Sequence, residues 1–139
     1  MPDQPFIDTV QSQVLSALED SFPSYDVQRP ESLRRYEFLN PEAAILVILR
    51  DARWGESPVQ SGTYRRVQPE FAIMSLTHGH EAEPSATDVL AGIEDTIEGL
   101  TVDGTEDHPG GQMRIQRQFY DQELPGGGVT YITLARLEP

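Results

Sequence analysis

AAILVIL, Ala43 to Leu49, is a continuous apolar run bounded by Pro41 on one side and by the charged pair Arg50 and Asp51 on the other. Its length and β-branched content suit a strand, and its lack of alternation means that both faces of that strand must be buried. Such a strand needs cover from helices or from a neighbouring layer.

The flanking sequence supplies helices. Residues 5–22 place Phe6, Ile7, Val10, Val14, Leu15 and Leu18 at helical spacing, with Asp8, Ser12, Ser16, Glu19 and Asp20 on the opposite arc. This amphipathic helix should stop near Phe22, because Pro23 disfavours helical geometry in the residue before it. Residues 23–42 contain three prolines and mixed polarity, which predicts an irregular connector with a short strand or turn near Arg34 to Leu39. Further along, Ser85 with Asp88 three residues later marks a second helix start. Val89, Leu90, Ile93, Ile97 and Leu100 then share one arc, while Asp88, Glu94, Asp95 and Glu98 hold the other. Gly99 suits a left-handed end to this helix.

After the apolar run, residues 51–63, DARWGESPVQSGT, form a polar connection carrying Trp54, the sole tryptophan. From Tyr64 to Thr77, Val67, Phe71, Ile73 and Ser75 alternate with Ala72, Met74 and Leu76, as in a second strand. Pro69 interrupts its first half and implies an edge position or a bulge there. Residues 101–112, TVDGTEDHPGGQ, have the composition of a loop. Two more strands follow, near Met113 to Tyr120 and Val129 to Leu137, and the glycine-rich connection DQELPGGG between them predicts a hairpin. The order helix, strand, strand, helix, strand, strand specifies one domain spanning residues 1–139. Its expected fold is an α/β (α+β) sandwich: a mixed or antiparallel sheet of about four strands with two helices packed on one face.

Composition excludes much chemistry. The chain has no cysteine, which removes disulfides, iron–sulfur clusters, thiolate zinc sites and cysteine nucleophiles. All ten basic residues are arginines, so the Walker A lysine, the pyridoxal Schiff base and other lysine catalysts are absent. A formal charge of −13 opposes binding to nucleic acid or anionic membranes. No apolar run approaches the ~20 residues that span a bilayer. The first residues, MPDQPFID, are acidic where a secretory signal is basic, so the expectation is a soluble chain made and used in a cytoplasm.

Candidate sites are few. HGHEAE, His78 to Glu83, holds two of the three histidines. Imidazoles one residue apart on an extended strand can point the same way, and carboxylates can complete a shell of nitrogen and oxygen donors. The segment nevertheless lies where a strand hands over to a helix, with Gly79 and Pro84 in it, and a connecting loop is the simpler reading. PGGGVT, Pro125 to Thr130, lacks the lysine and the following helix of a phosphate cradle. Neither G-x-S-x-G nor H-E-x-x-H occurs, so the expectation is a non-enzyme without cofactor or metal. Trp54 either folds back over the core or, with Arg50, Arg53, Arg65 and Arg66 around it, anchors a contact with another chain. The acids between residues 81 and 107 carry no base among them and first suggest a solvated face. Basic and acidic regions on one subunit also suit head-to-tail contact between copies, which closes into a ring when the rotation allows.

The segments FIDTVQSQVLSALED, AILVILRDARWG, PEFAIMSLTHG, DVLAGIEDTIEGLTVDG and VTYITLARLEP together resemble the tail-terminator family of long-tailed bacteriophages, particularly the small versions in Mu-like phages. The resemblance runs from about Phe6 to Leu137, and the helix closing in I-E-G-L is its most telling part. It implies an α/β subunit that assembles as a ring, usually a hexamer, on the head-proximal end of the tail tube. Such a ring stops tube polymerisation, presents a docking surface to neck or connector proteins and, in contractile tails, meets the last sheath ring. The implied location is the virion, with assembly in the cytoplasm of a bacterial host. No catalytic residue is carried over, because the family has none. The chain departs from the usual pattern in its longer Trp54 loop and its Pro-rich connector.

A six-fold ring of this chain would carry a formal charge of roughly −80, so DNA passing through should be repelled without specific binding. Glu94, Asp95, Glu98, Asp121 and Glu123 are the candidates to face that channel. Alternative readings are another neck or head–tail completion protein, a small metal-dependent hydrolase or ligand-binding domain using His78 and His80, and a monomeric adaptor.

Overall fold

Helix α1, Gln4–Ser21, and helix α2, Ala86–Ile97, form where the apolar spacing places them. The structure, a computed structural model, describes residues 4–30, 36–55, 66–105 and 108–138, and their side chains except at positions 4, 52–55, 66 and 67. Helix α1 buries Phe6, Ile7, Val10, Val14 and Leu18. At the start of α2 the Ser85 hydroxyl accepts from the Asp88 amide at 3.2 Å, which satisfies one of the helix's free N–H groups. At its end Gly99 takes φ +80° and donates its amide to Met113 O at 2.8 Å, so the left-handed step turns the chain back onto the sheet.

Among the described residues the sheet has six strands: β1 Asp26–Gln28, β2 Ala43–Gly55, β3 Arg66–Thr77, β4 Thr101–Val102, β5 Gly111–Glu123 and β6 Val129–Glu138, in the spatial order β1-β2-β3-β6-β5-β4. Only β1 and β2 pair in parallel; every other neighbouring pair is antiparallel. The class is therefore the expected mixture of helices and sheet, but the expected four strands become six. The additions are the two edge strands, three and two residues long, too short to show any periodicity. β1 falls within the 23–42 connector and β4 within the stretch whose composition suggested a loop.

β2 explains why its sequence does not alternate. Ala43, Ile45 and Val47 face both helices and join a core with Val14, Phe71, Ile73, Val89, Ile93, Met113 and Ala135. Ala44 and Leu46 face the other way, in a smaller cluster with Leu76 that Tyr36, Phe38, Ile48, Met74 and Leu124 pack against. Helices cover one face, and the irregular segment around Tyr36 and Phe38 covers part of the other. Burying a side chain the size of Ile45, Leu46 or Val47 contributes about 1.5–3 kcal/mol, so each residue from Ala43 to Val47 works for one layer or the other.

One expectation is corrected. Trp54 does not lie on a polar loop: β2 continues through it, and its register partner is Val67, with Arg53 opposite Gln68 and Gly55 opposite Arg66. Backbone pairing sustains this extension, which side-chain polarity could not reveal. A register shift between Leu49 and Asp51 inserts Arg50 as an extra residue in β2. β6 pairs with β3 only from Glu70 onward. Pro69 thus sits where β3 has a neighbour on one side, which suits a residue with no N–H to donate.

Candidate functional site

Because β6 pairs with β3 only as far as Glu70, residues 51–55 of β2 and 66–69 of β3 form a two-stranded ribbon with no third strand paired to it among the described residues. An isolated pair of strands is marginal in water, so a ribbon of this kind gains from a partner surface. Of the residues singled out for subunit contact, Arg50 stands at the ribbon's base, where its guanidinium donates to the buried carboxylate of Glu70 at 3.2 Å. Arg53, Trp54 and Arg66 have backbone positions on the ribbon, while Arg65 lies outside the described residues.

At the other end of the β2–β3 pair the structure presents a cleft of about 530 Å³. Its apolar floor is Leu46, Met74 and Leu76 from the sheet face turned away from the helices. One wall is the segment from Tyr36 to Leu39 with His78; the other is Leu124, Pro125 and Gly126 from the β5–β6 turn. Polar contacts fix the first wall. The Tyr36 hydroxyl donates to Asp26 Oδ2 at 2.6 Å, and burial, then that bond and charge, push its pKa above the ordinary phenol value. Phe38 stacks on the His78 ring at 4.5 Å, and His78 Nε2 lies 2.8 Å from Asn40 O, so Nε2 carries the proton in that contact. Asn40 Oδ1 in turn accepts from the Glu42 and Ala43 amides, at 2.8 and 3.2 Å, just ahead of β2.

HGHEAE is a loop, and it sends its two imidazoles to different neighbours. His78 joins the cleft wall, whereas His80 Nδ1 meets the Tyr131 hydroxyl at 3.2 Å, with Tyr120 packed beside both rings. His108 is buried elsewhere, stacked on Phe6 at 4.8 Å. Among the described residues no three His, Asp or Glu side chains gather closely enough to share a metal ion.

The acidic candidates fall into two groups. Glu94 and Asp95 are exposed on α2. Glu98 follows them, but its carboxylate accepts from the Ile115 amide at 2.7 Å and from Arg114 at 3.2 Å. The amide bond first, then Arg114, outweighs desolvation and holds its pKa below the ordinary glutamate value. Asp121 accepts from Thr130 Oγ1 at 3.0 Å, and Glu123 ends β5. Eight residues of extended chain separate Ile115 from Glu123, about 27 Å, so the two groups mark opposite ends of β5.

Sequence reasoning passed over the cleft. Its signals were Tyr36, Phe38 and Leu39, three large apolar residues in a connector classed as irregular, and Leu124 beside a glycine-rich turn.

With this geometry established, comparison gives a likeness of fold. No family model matches the chain, and no curated protein does. Among solved structures, a chain from the virion of a native gene transfer agent (GTA) particle superposes with a TM-score of 0.60 over 94% of both chains, at 13% identity. The two chains share a fold. No described helix is long and apolar enough to cross a membrane.

Proposed function

We propose that this protein is a structural subunit of a phage-like virion and, more narrowly, a tail terminator. In this reading copies assemble as a hexameric ring on the head-proximal end of the tail tube. The ring ends polymerisation of tube and sheath and presents the surface on which the neck docks. The observation that carries the proposal is the end-to-end match in fold to a chain of a gene transfer agent virion. The sequence resemblance to tail terminators makes it specific. Two further features support it: a ribbon and an apolar cleft at opposite ends of one strand pair, and a formal charge of −13 that disfavours adhesion of passing DNA. The proposal includes neither an enzymatic activity nor a cofactor.

The same likeness also accommodates a neck or head–tail joining subunit, since the matching chain comes from a whole virion. One experiment separates the two. Purified protein is added to tube protein during polymerisation, and lengths and ends are viewed by electron microscopy. A terminator gives shorter tubes with an added ring at one end. Unchanged lengths with rings bound to head connectors would move the assignment to the neck, and no ring on either would reject both.

A further inference from the structure

We infer that the sheet face turned away from the helices takes a short acidic segment of a partner protein, its carboxylate held by Arg117 and its apolar side chains laid on Phe119, Ile132 and Met74. This partner is not a second copy of the chain, so the contact stands apart from the ring. Arg117 is set apart by what it lacks. Arg29, Arg50, Arg114 and Arg136 each meet a carboxylate, on Asp8, Glu70, Glu98 and Glu138, at 3.2 Å or less. In a chain with 23 acids and 10 arginines, a base is expected to find such a partner. Arg117 is exposed and is the exception among the arginines whose side chains are described: it pairs with no carboxylate, and its guanidinium lies over the Phe119 ring, 4.5 Å from the centroid. A cation held over a ring face has lost part of its freedom before any ligand arrives, while its N–H donors still lack an acceptor. A guanidinium in that state suits a carboxylate, which its planar fork binds through two parallel bonds.

The surroundings set the sign and shape of the partner. Ala135 and Leu137 belong to the helix-covered core, so Leu134 and Arg136 point the other way, as do Arg117 and Arg114 opposite them. Arg114 and Arg136 are register partners, two like charges facing each other next to Arg117. Glu98 and Glu138 answer two of these three arginines, and the neighbouring Arg50–Glu70 pair is neutral, so one positive charge is left over in a chain of net charge −13. Beside it runs an apolar row. Phe119, Ile132, Met74 and Leu46 are successive register partners across β5, β6, β3 and β2, and the row ends in the cleft floor. Phe119, Ile132 and Met74 are only half-buried. Three strand spacings cover about 14 Å, roughly the length of four residues of extended chain. A segment with a carboxylate at one end and apolar side chains after it therefore meets first a cation and then an apolar track. The track is one side chain wide, which suits a single extended segment better than a folded face. A nucleic acid would bring a whole line of phosphates to a chain of formal charge −13.

The test titrates the isotope-labelled chain with a soluble peptide alternating glutamate and leucine, followed by NMR, with the glutamine counterpart of the peptide as control. The amides of Arg117, Phe119 and Ile132 should move most, and the glutamine peptide should bind about tenfold more weakly, as loss of a charge-assisted pair does. Arg117→Gln should also lose about tenfold in affinity. Arg117→Lys should lose less, since the ammonium keeps the charge without the fork, and Arg29→Gln, in the separate pair with Asp8, should lose nothing. Urea midpoints confirm that each variant folds. The site is overturned by an absence of shifts at millimolar peptide, by shifts centred elsewhere, or by an affinity that Arg117→Gln leaves unchanged or Arg29→Gln lowers as much. An oligonucleotide that moved the same amides more strongly than the peptide would overturn it in favour of nucleic acid. Self-association lost in Arg117→Gln, read by sedimentation, would overturn it in favour of a contact between copies. The tube assay above decides the terminator reading separately, since peptide binding requires neither tube nor ring.

Discussion

Glu98 illustrates how a residue chosen for one purpose serves another. Its place on the polar arc of α2 marked it as a channel candidate, yet it satisfies the Ile115 amide of β5 at 2.7 Å. Its folded-state pKa is depressed, so the folded protein takes up that proton less readily than the unfolded chain. The stabilisation is complete above the usual glutamate range and disappears as pH falls through the depressed value. Glu98→Gln should therefore unfold at lower urea than the parent at neutral pH and converge with it in acid. The side chain is 40% exposed, so solvent screening holds the neutral-pH gap to about 1 kcal/mol or less. A gap that persisted unchanged into acid would assign the effect to packing. Gly110 acts by close approach: a Cβ there would stand 2.1 Å from Val102 O and 2.5 Å from Gly104 N, both backbone atoms. Gly110→Ala should cost about 2–3 kcal/mol and lower the melting midpoint by roughly 8–12 °C in calorimetry. Sequence showed Gly110 only as part of a loop composition, because steric crowding between two backbone segments leaves no local signature.

Among the elements, the helices were legible because burial on one side forces a 3.6-residue period over three turns or more. α1 and α2 begin and end close to where Pro23, Ser85 and Gly99 place them. The long strands were legible in their apolar parts alone. β2 beyond Leu49 was not, since ARWG has neither alternation nor an apolar run, and only pairing with residues 66–69 makes it a strand. The edges were illegible too, because two or three residues cannot display a period. β1 covers β2 only as far as Leu46, and α1 takes over at the next residue: buried Gln11 donates Nε2 to Val47 O at 2.9 Å. A helix side chain thus stands in for the missing strand. Gln11→Ala should strand that carbonyl and cost about 1–3 kcal/mol, read as a lower urea midpoint with unchanged slope. Gln11→Met, which keeps the volume, should recover little of the loss if the hydrogen bond is its source.

For the whole molecule, composition gave its firmest information as exclusion: no thiol chemistry and no lysine chemistry. Those statements hold wherever residues sit. The candidate sites required three dimensions, since the cleft gathers residues from positions 36 to 130 and the two halves of HGHEAE diverge. The net charge makes a prediction independent of assembly. Double-stranded DNA should show no retardation by this protein even at low salt, where non-specific contacts are strongest. Retardation that faded with added salt would instead point to the arginines of residues 50–66 as an accessible basic surface.

The extra residue at Arg50 carries a geometric consequence. Inserting one position into β2 sets the direction in which the strand pair leaves the body of the protein, and in the proposed ring that direction would bear on the angle between one copy and the next. For units joined by unlike surfaces, that angle decides how many fit in a circle, or whether the circle becomes a spiral. Deleting Arg50 together with Glu70→Gln, which leaves no buried carboxylate without its ion partner, should keep each protomer folded while altering copy number per turn, visible as rings of another diameter or as open filaments under the microscope. Stoichiometry would then be encoded less by the chemistry of a contact than by a single step in a backbone.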